Sequence, residues 1–275
     1  MQQLIIAPAK VIADTITAAY CAEVATTPYK VVITDELTAR IDAVAAWATS
    51  DSAKAGLVLH SQNPGTGKTT MARALFRVIS DFSCGAVEMY LQTATQEIRE
   101  QLEALLPSCN YNPDDAIARD CYSPEDREAA RPLWEKYLAI QDTAREDWLG
   151  YDCAYKDTKF HPAIELALIA QNGGREALLD AHNAPGKAPL LFLDDLGVEP
   201  RSVRHYGRNA DGDYCNEEIM PIAELIVYRY EHKLPVIITT NFATDVIAKL
   251  YGVRVADRLR EMCEFGNFAG ESYRI

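Results

Sequence analysis

Residues 56–70, with the sequence Gly-Leu-Val-Leu-His-Ser-Gln-Asn-Pro-Gly-Thr-Gly-Lys-Thr-Thr, constrain the fold more than any other part of the chain. The stretch begins as an apolar strand, turns through Asn-Pro-Gly-Thr-Gly and is expected to open a helix at Thr69. In that layout the N–H groups of a tight glycine turn and of a helix N-terminus converge on one concavity, where they stabilise an anion. The stretch therefore predicts a phosphate-binding loop.

The positions of this loop have distinct expected roles. Gly65 and Gly67 permit backbone angles and a close approach that a side chain would block. Lys68 is expected to reach the outer phosphates of a nucleotide, and Thr69 offers a hydroxyl ligand to Mg²⁺. The predicted nucleotide-binding residues are Asn63, Pro64, Gly65, Thr66, Gly67, Lys68, Thr69 and Thr70. The full pattern for such a loop has glycine at position 62, where this chain has Gln62.

Polar residues follow two later apolar runs. The run Leu-Leu-Phe-Leu at 190–193 ends in Asp194 and Asp195, and the run Val-Ile-Ile at 236–238 leads through two threonines to Asn241. Ligands of open α/β sheets bind at the carboxyl ends of the strands, so these side chains are expected beside the phosphate loop. Asp194 is the expected Mg²⁺ residue, and Asp195 is expected to orient or deprotonate an attacking water. Asn241 is expected to hydrogen-bond a water or the terminal phosphate.

Charge and cysteine usage restrict the class of protein. The net charge of −13 argues against a chain that coats nucleic acid unaided, because phosphate neutralisation needs clustered lysine and arginine. The seven cysteines form no C-x-x-C pair, which favours free thiols in a reducing cytoplasm over a zinc cluster or disulfide framework. No apolar run is long enough to span a membrane, and the N-terminus lacks the pattern of a secretion signal.

The chain is expected to divide into an N-terminal segment, 1–34, and an ATPase domain, 35–275. Within that domain, 107–160 is predicted to be an acidic helical insertion, since 14 acidic residues face six basic ones between Glu97 and Asp152. Its acidic face is either a solvated surface or a protein-partner site. Residues 197–216 are expected to form a long polar loop, and 268–275 an edge strand.

Three arginines in the polar loop offer a local basic patch. One interpretation is that Arg201, Arg204 and Arg208 line a pore that tracks a DNA strand. The alternative is a solvated loop whose arginines form ion pairs with Asp211 and Asp213. Any contact with single-stranded DNA is expected to use this patch.

Several motifs together resemble one protein family. They are Leu-Asp-Asp-Leu-Gly at 193–197, Thr-Thr-Asn at 239–241, Tyr-Gly-x-Arg-x-x-Asp-Arg-Leu at 251–259 and the terminal Glu-Ser-Tyr-Arg. In this order, after the phosphate loop, they resemble the AAA+ ATPases of the helicase-loader group, above all DnaC/DnaI-type loaders and IstB-type transposition ATPases. The resemblance covers residues 35–106 and 180–275.

The resemblance implies a fold and a set of roles. The fold would be α/β, a P-loop NTPase of the ASCE/AAA+ type with a central parallel five-stranded sheet, helices on both faces and no C-terminal lid domain. Asp194 would be the Walker B residue and Asn241 sensor 1. Arg254 would be the arginine finger that reaches ATP in a neighbouring subunit, with Arg258 as the alternative. ATP would then bridge subunits of a homo-oligomer.

The function that the resemblance implies is that of an ATP-binding and ATP-hydrolysing helicase loader, with ATP and Mg²⁺ as cofactors. Its expected partners are a replicative helicase or a transposase, and single-stranded DNA. An IstB-like transposition accessory ATPase shares all the nucleotide-site features. A P-loop small-molecule kinase would instead act as a monomer, with the helical insertion as a phosphate lid. A binding module with negligible hydrolysis is a further alternative, because Asp195 stands where glutamate is commoner.

Overall fold

The computed structural model describes residues 4–29, 32–51, 54, 56–81, 91, 94–107, 112–114, 116–148, 152–153, 158–183, 190–208 and 214–268. The chain divides into two compact units, of which the first combines Met1–Ser80 with Cys153–Ile275 and the second is Asp81–Asp152. The second unit overlaps the segment that the sequence marks as an insertion. Its described helices are α4 (Gln96–Leu105), α5 (Ala116–Cys121) and α6 (Pro124–Trp148).

Five parallel strands form the central sheet of the first unit. They are β2 (Gly56–His60), β4 (Thr158–Pro162), β5 (Leu190–Leu196), β8 (Val236–Thr240) and β9 (Cys263–Asn267). Their order is β4–β5–β8–β2–β9, so β8 lies between the strand that precedes the phosphate loop and the strand that ends in the acids. The parallel five-stranded sheet predicted from the sequence is confirmed. Two shorter strands are β1 (Ile5–Ile6) and β3 (Asp152–Cys153).

Helices pack against both faces of this sheet. They are α1 (Ala9–Ala25), α2 (Asp35–Ala48), α3 (Lys68–Asp81), α7 (Ala163–His182), α8 (Pro221–Glu231), α9 (Thr244–Tyr251) and α10 (Val253–Met262). Alternate residues of β5 show the two faces. Phe192 meets Phe76 of α3 edge to face at 5.4 Å, whereas Leu191 and Leu193 join a core cluster with Leu166 of α7. None of the described helices has the length and apolarity needed to cross a membrane.

A β-hairpin replaces the polar loop expected at 197–216. Strand β6 (Val203–Arg208) pairs antiparallel with β7 (Tyr214–Ile219), and α8 follows directly. The expectation was wrong because only one face of the hairpin is buried, and polar residues fill most of the other positions. Val203 and Ile219 are the buried aliphatic residues at its ends.

The edge strand also begins earlier than expected. It covers Cys263–Asn267, directly after α10 ends at Met262, and pairs with β2 along its full length. Phe268 continues the contact, because its N–H donates to the carbonyl of His60 at 2.7 Å. The remaining part of the predicted strand, 269–275, lies outside the described residues.

Gly56 provides a test of the sheet packing. A Cβ at this position would lie 2.5 Å from Cys263 Sγ and 2.9 Å from the carbonyl oxygen of Val236, so Gly56→Ala must push β2 away from its neighbours. We expect the free energy of unfolding to fall by about 1–3 kcal/mol in chemical denaturation. Gly266→Ala on β9 is the matched control, because its Cβ would meet Leu59 Cδ2 at an ordinary 3.5 Å. Equal stability of the two variants would contradict this packing.

Candidate functional site

A cavity of about 450 Å³ opens at the carboxyl ends of β2, β5 and β8. It brings together most of the site residues predicted from the sequence. Its lining includes residues 64–70 of the phosphate loop, Asp194, Asp195 and Asn241. Three segments that lie far apart in the chain thus converge on one concavity, as expected for parallel strands that end at the same edge.

The phosphate loop has the backbone geometry that its glycines suggest. Gly65 and Gly67 have φ angles of 80° and 84°, in the left-handed region that favours glycine. The carbonyl of Gly67 accepts a hydrogen bond from Met71 N–H at 2.8 Å, so the helix grows directly out of the loop. At the start of the turn, Asn63 N–H donates to Ser61 Oγ at 3.1 Å. The N-terminus of α3 therefore faces the cavity with its first N–H groups.

Lys68 is folded back over the loop and is only 5% exposed. Its Nζ donates to the carbonyl of Asn63 at 3.2 Å and to Thr66 Oγ1 at 3.4 Å. Burial and, next, the Lys68 charge lower the pKa of nearby His60, so the imidazole stays neutral at pH 7. The Lys68 ammonium therefore places a positive charge on the lining of the cavity.

Asp194 is the centre of the acidic side of the cavity. It is 5% exposed, and its Oδ1 accepts hydrogen bonds from Thr69 Oγ1 at 2.9 Å and from Thr239 Oγ1 at 2.5 Å. Thr69 and Asp194 therefore present two hard oxygen atoms side by side, which suits Mg²⁺. Among the described residues no group of three or more His, Cys, Asp or Glu could hold a metal. Proteins usually bind Mg²⁺ with one or two carboxylates and the phosphates of a substrate, and Asp194 is such a carboxylate.

Asp195 has a backbone conformation that is uncommon for a residue with a side chain. Its φ is 55°, and the pairing of β5 with β8 shifts register between Leu193 and Leu196. The Asp195 N–H donates to Thr239 Oγ1 at 2.9 Å. This irregularity turns the side chain of Asp195 outward, where it is exposed and lines the cavity, while Asp194 stays buried.

Two functional contacts at the end of β8 were not predicted from the sequence. Thr239 binds both acids, since its hydroxyl donates to Asp194 and accepts from the Asp195 N–H. Thr240 joins β8 to the phosphate loop, because its carbonyl accepts from Ser61 N–H at 3.2 Å. For Thr239, a hydroxyl at the end of a fully buried strand was the available signal, because buried polar groups need partners. Asn241 follows these threonines into the cavity.

Arg40 of α2 is another contact that sequence analysis missed. Its side chain is 9% exposed, donates to the carbonyl of Thr66 at 3.4 Å and pairs with Glu36 at 2.5 Å. The guanidinium also lies 5.2 Å from the centre of the Phe268 ring. Arg40 therefore connects the phosphate loop to α2. The i, i+4 spacing of Glu36 and Arg40 was the only signal in the sequence.

A mainly apolar wall completes the cavity. It comes from α1, from the segment that follows it and from the start of α2, and its members are Tyr20, Val24, Thr27, Tyr29, Val32 and Leu37. Tyr20 and Leu37 are buried, whereas Tyr29 and Val32 are exposed at the rim. An aromatic and aliphatic wall beside an anion site has the chemistry to hold the flat ring of a nucleoside base.

The predicted arginine finger lies outside the cavity lining. Arg254 is at the start of α10, its side chain is 69% exposed, and it approaches Glu231 at 3.7 Å. Arg258 is 27% exposed and lies 4.2 Å from the centre of the Tyr230 ring. Of the predicted DNA patch, Arg201 and Arg204 are exposed. The side chain of Arg208 and the predicted partners Asp211 and Asp213 lie outside the described residues.

A half-buried tyrosine connects the loop after β5, residues 197–202 (the acid loop), with the region of Arg254. The Tyr251 hydroxyl donates to Glu199, which also accepts from the Gly197 N–H at 2.9 Å. Burial, followed by the hydrogen bond to Glu199, raises the pKa of Tyr251, so its hydroxyl remains a donor at working pH. Tyr251 thus ties the loop after β5 to the junction between α9 and α10.

Comparison with known proteins gives little further information. No family model matches the sequence, and no curated protein matches it. Among solved structures, the crystal structure of the DnaC helicase loader aligns with 86% of this chain and 91% of its own, at 16% identity and a TM-score of 0.37. That likeness is too low to support an argument about function. The P-loop NTPase fold therefore rests on the strand order and phosphate loop of the chain itself.

Replacing Arg40 tests whether it supports the phosphate loop. Arg40→Met keeps the aliphatic stem but leaves the Thr66 carbonyl without its buried charged donor, so we expect the free energy of unfolding to fall by about 1–3 kcal/mol. Arg260→Met is the control, since Arg260 is half-exposed and pairs with Asp257 three residues away. A surface pair of this kind contributes about 0.5 kcal/mol or less. Denaturation profiles in which the two variants lose the same stability would show that Arg40 is not a structural support.

Proposed function

We propose that this chain binds ATP with Mg²⁺, hydrolyses it, and acts in the cytoplasm as an AAA+ helicase loader. The observation that carries the ATPase proposal is the contact of Thr69 with Asp194 beside the buried Lys68. Thr69 and Asp194 are 125 residues apart in the chain, yet their oxygens lie 2.9 Å from each other. Thr69 and Asp194 would hold a bound Mg²⁺, which would neutralise charge on the terminal phosphates.

The residues of the cavity divide the work of hydrolysis. Loop N–H groups and Lys68 bind the phosphates, which places the terminal phosphate near the acids. Asp195, exposed in the cavity, orients or deprotonates the attacking water, and Asn241 holds that water or the terminal phosphate. Thr239 fixes both acids, so their geometry is set before the nucleotide arrives. The apolar wall of α1 and the segment after it accepts the base.

Completion of the site by a second subunit is part of the proposal. The exposed Arg254 is available to a neighbouring copy, where its charge would stabilise the terminal phosphate in the transition state. Arg258 is less available, because its guanidinium packs on Tyr230. ATP would therefore favour a homo-oligomer and link nucleotide state to assembly.

The loader assignment rests on the motif pattern of the sequence. Its expected partners are a replicative helicase and single-stranded DNA; an IstB-like accessory ATPase, with a transposase as partner, differs in what it binds rather than in its nucleotide site. A small-molecule kinase would use one subunit only. Binding of a purified helicase, transposase or duplex DNA in the presence of ATP separates the first two possibilities.

Loss of either central group should abolish ATP turnover. We expect Lys68→Ala and Asp194→Asn each to lower the rate of phosphate release by about 10²-fold or more, because each removes a charge that the transition state requires. Lys249→Ala and Asp245→Asn are matched controls, since both side chains are at least 70% exposed on α9. Wild-type rates in Lys68→Ala and Asp194→Asn would refute the site, and ATP binding without turnover in the wild type would favour the nucleotide-gated binding module.

Mixing two inactive variants tests the finger in a neighbouring subunit. Arg254→Ala alone should be inactive, as should Lys68→Ala alone. In a mixture, a Lys68→Ala subunit still supplies Arg254 to an intact pocket of its neighbour, so ATPase activity should partly return. Arg258→Ala should keep its ATPase activity without a second variant in the mixture. Absence of recovery, with both variants folded, would exclude a shared site and favour a monomeric enzyme.

A further inference from the structure

The hairpin of β6 and β7 has one buried and one exposed face. The register places Val203 opposite Ile219, His205 opposite Glu217 and Tyr206 opposite Asn216. Val203, His205 and Ile219 are at most 8% exposed, so this inner face packs on the first unit. Because side chains alternate along a strand, Arg204 and Tyr206 point to the other side with Asn216 and Glu218.

Several contacts anchor the strands β6 and β7 to α7. Arg175 of α7 donates to Glu224 at 2.7 Å, pairs with Glu217 and also donates to the carbonyl of Glu218 at 2.7 Å. The kink in α7 allows a close approach, since a Cβ at Gly174 would lie 2.9 Å from Glu217 Oε1. His205 adds a hydrogen bond to the carbonyl of Gln171 at 3.1 Å. The outer face is therefore a preorganised surface rather than a loose loop.

Two tyrosines dominate the outer face. Tyr206 is 67% exposed and Tyr214 is 86% exposed, although both belong to strands. Since Tyr206 lies opposite Asn216, Tyr214 is its diagonal neighbour, and such positions are about 7–8 Å apart. Arg204 lies beside them and hydrogen-bonds Tyr206. Of the outer-face side chains that the structure describes, none is aliphatic.

We propose that this outer face, comprising Arg204, Tyr206, Tyr214, Asn216 and Glu218, binds single-stranded nucleic acid. Bases stack on Tyr206 and Tyr214, and Arg204 contacts a phosphate. Rigid aromatic side chains beside an arginine form the stacking platforms on which single strands bind with little sequence preference. Tyrosine and arginine are also enriched at protein interfaces, so a protein partner is the conclusion that an absence of oligothymidylate binding would favour. The inference extends the proposed function by naming the site of a strand contact.

The charge of this face sets how the strand is held. Among the described outer-face side chains, Glu218 lies opposite Arg204, and the whole chain carries a net charge of −13. Stacking therefore supplies most of the affinity, and phosphate contacts contribute little. We expect a shallow salt dependence, to which Arg204 contributes a slope of about 0.7 on logarithmic axes. Removing the Glu218 charge should strengthen binding.

The test measures fluorescence anisotropy of a labelled oligothymidylate and of a labelled duplex with the full chain, without nucleotide. The single strand should bind and the duplex should bind more weakly. Tyr206→Ala and Tyr214→Ala should each weaken single-strand binding about 5- to 150-fold. Phenylalanine at both positions should preserve binding, whereas leucine should not, because only the aromatic ring stacks. Glu218→Gln should tighten binding, a gain that impaired folding cannot produce.

The result is separable from the proposed ATPase. Lys68→Ala should bind the oligothymidylate like the wild type, and the two tyrosine variants should keep the basal ATPase rate measured without DNA. Three outcomes would overturn the proposal. The wild type could fail to bind the single strand, a variant with both Tyr206→Ala and Tyr214→Ala could bind it as tightly as the wild type, or the leucine variants could bind it as tightly as the phenylalanine variants. None of these outcomes would affect the assignment of the nucleotide site.

Discussion

The site depends on one carboxylate oxygen, Asp194 Oδ1, which accepts hydrogen bonds from hydroxyls of two other elements. Thr69 brings the first turn of α3 to it, and Thr239 brings the end of β8. A buried carboxylate is costly unless it is hydrogen-bonded, so these contacts fix the relative positions of three segments. The strand order makes this possible, because β8 lies between the loop strand β2 and the acid strand β5.

Much of the fold and of the central site could be predicted from the chain, because local pattern determined it. Apolar runs that end in polar residues indicated buried parallel strands, and the glycine turn before Lys68 indicated where they converge. The loop, Asp194, Asp195 and Asn241 do line one cavity, and the positive φ angles fall on Gly65 and Gly67. Their chemical roles, like those of Arg254 and the domain limits, remain predictions.

What the sequence did not reveal was set by partners far along the chain. Arg40 resembles any helical arginine until Thr66 and Phe268 are seen around it. Thr239 contacts both acids because the pairing of β5 shifts register, and the hydrophobic periodicity of the sequence does not reveal such a shift. The hairpin at 203–219 was missed because its buried face includes His205, whose burial is compensated by a carbonyl of α7. In each case a polar side chain is placed by tertiary contacts rather than by its neighbours in sequence.

The hydrogen bond from Tyr251 to Glu199 has a mechanical consequence. It fastens the backbone just before α10 to the loop that leaves β5, only a few residues beyond the two acids. A force that rotates α10 must therefore either break this bond or drag the acid loop with it. If Arg254 contacts an adjoining copy as proposed, a movement of α10 caused by the nucleotide of that copy would be transmitted to the two acids. The copies would then hydrolyse ATP cooperatively rather than independently.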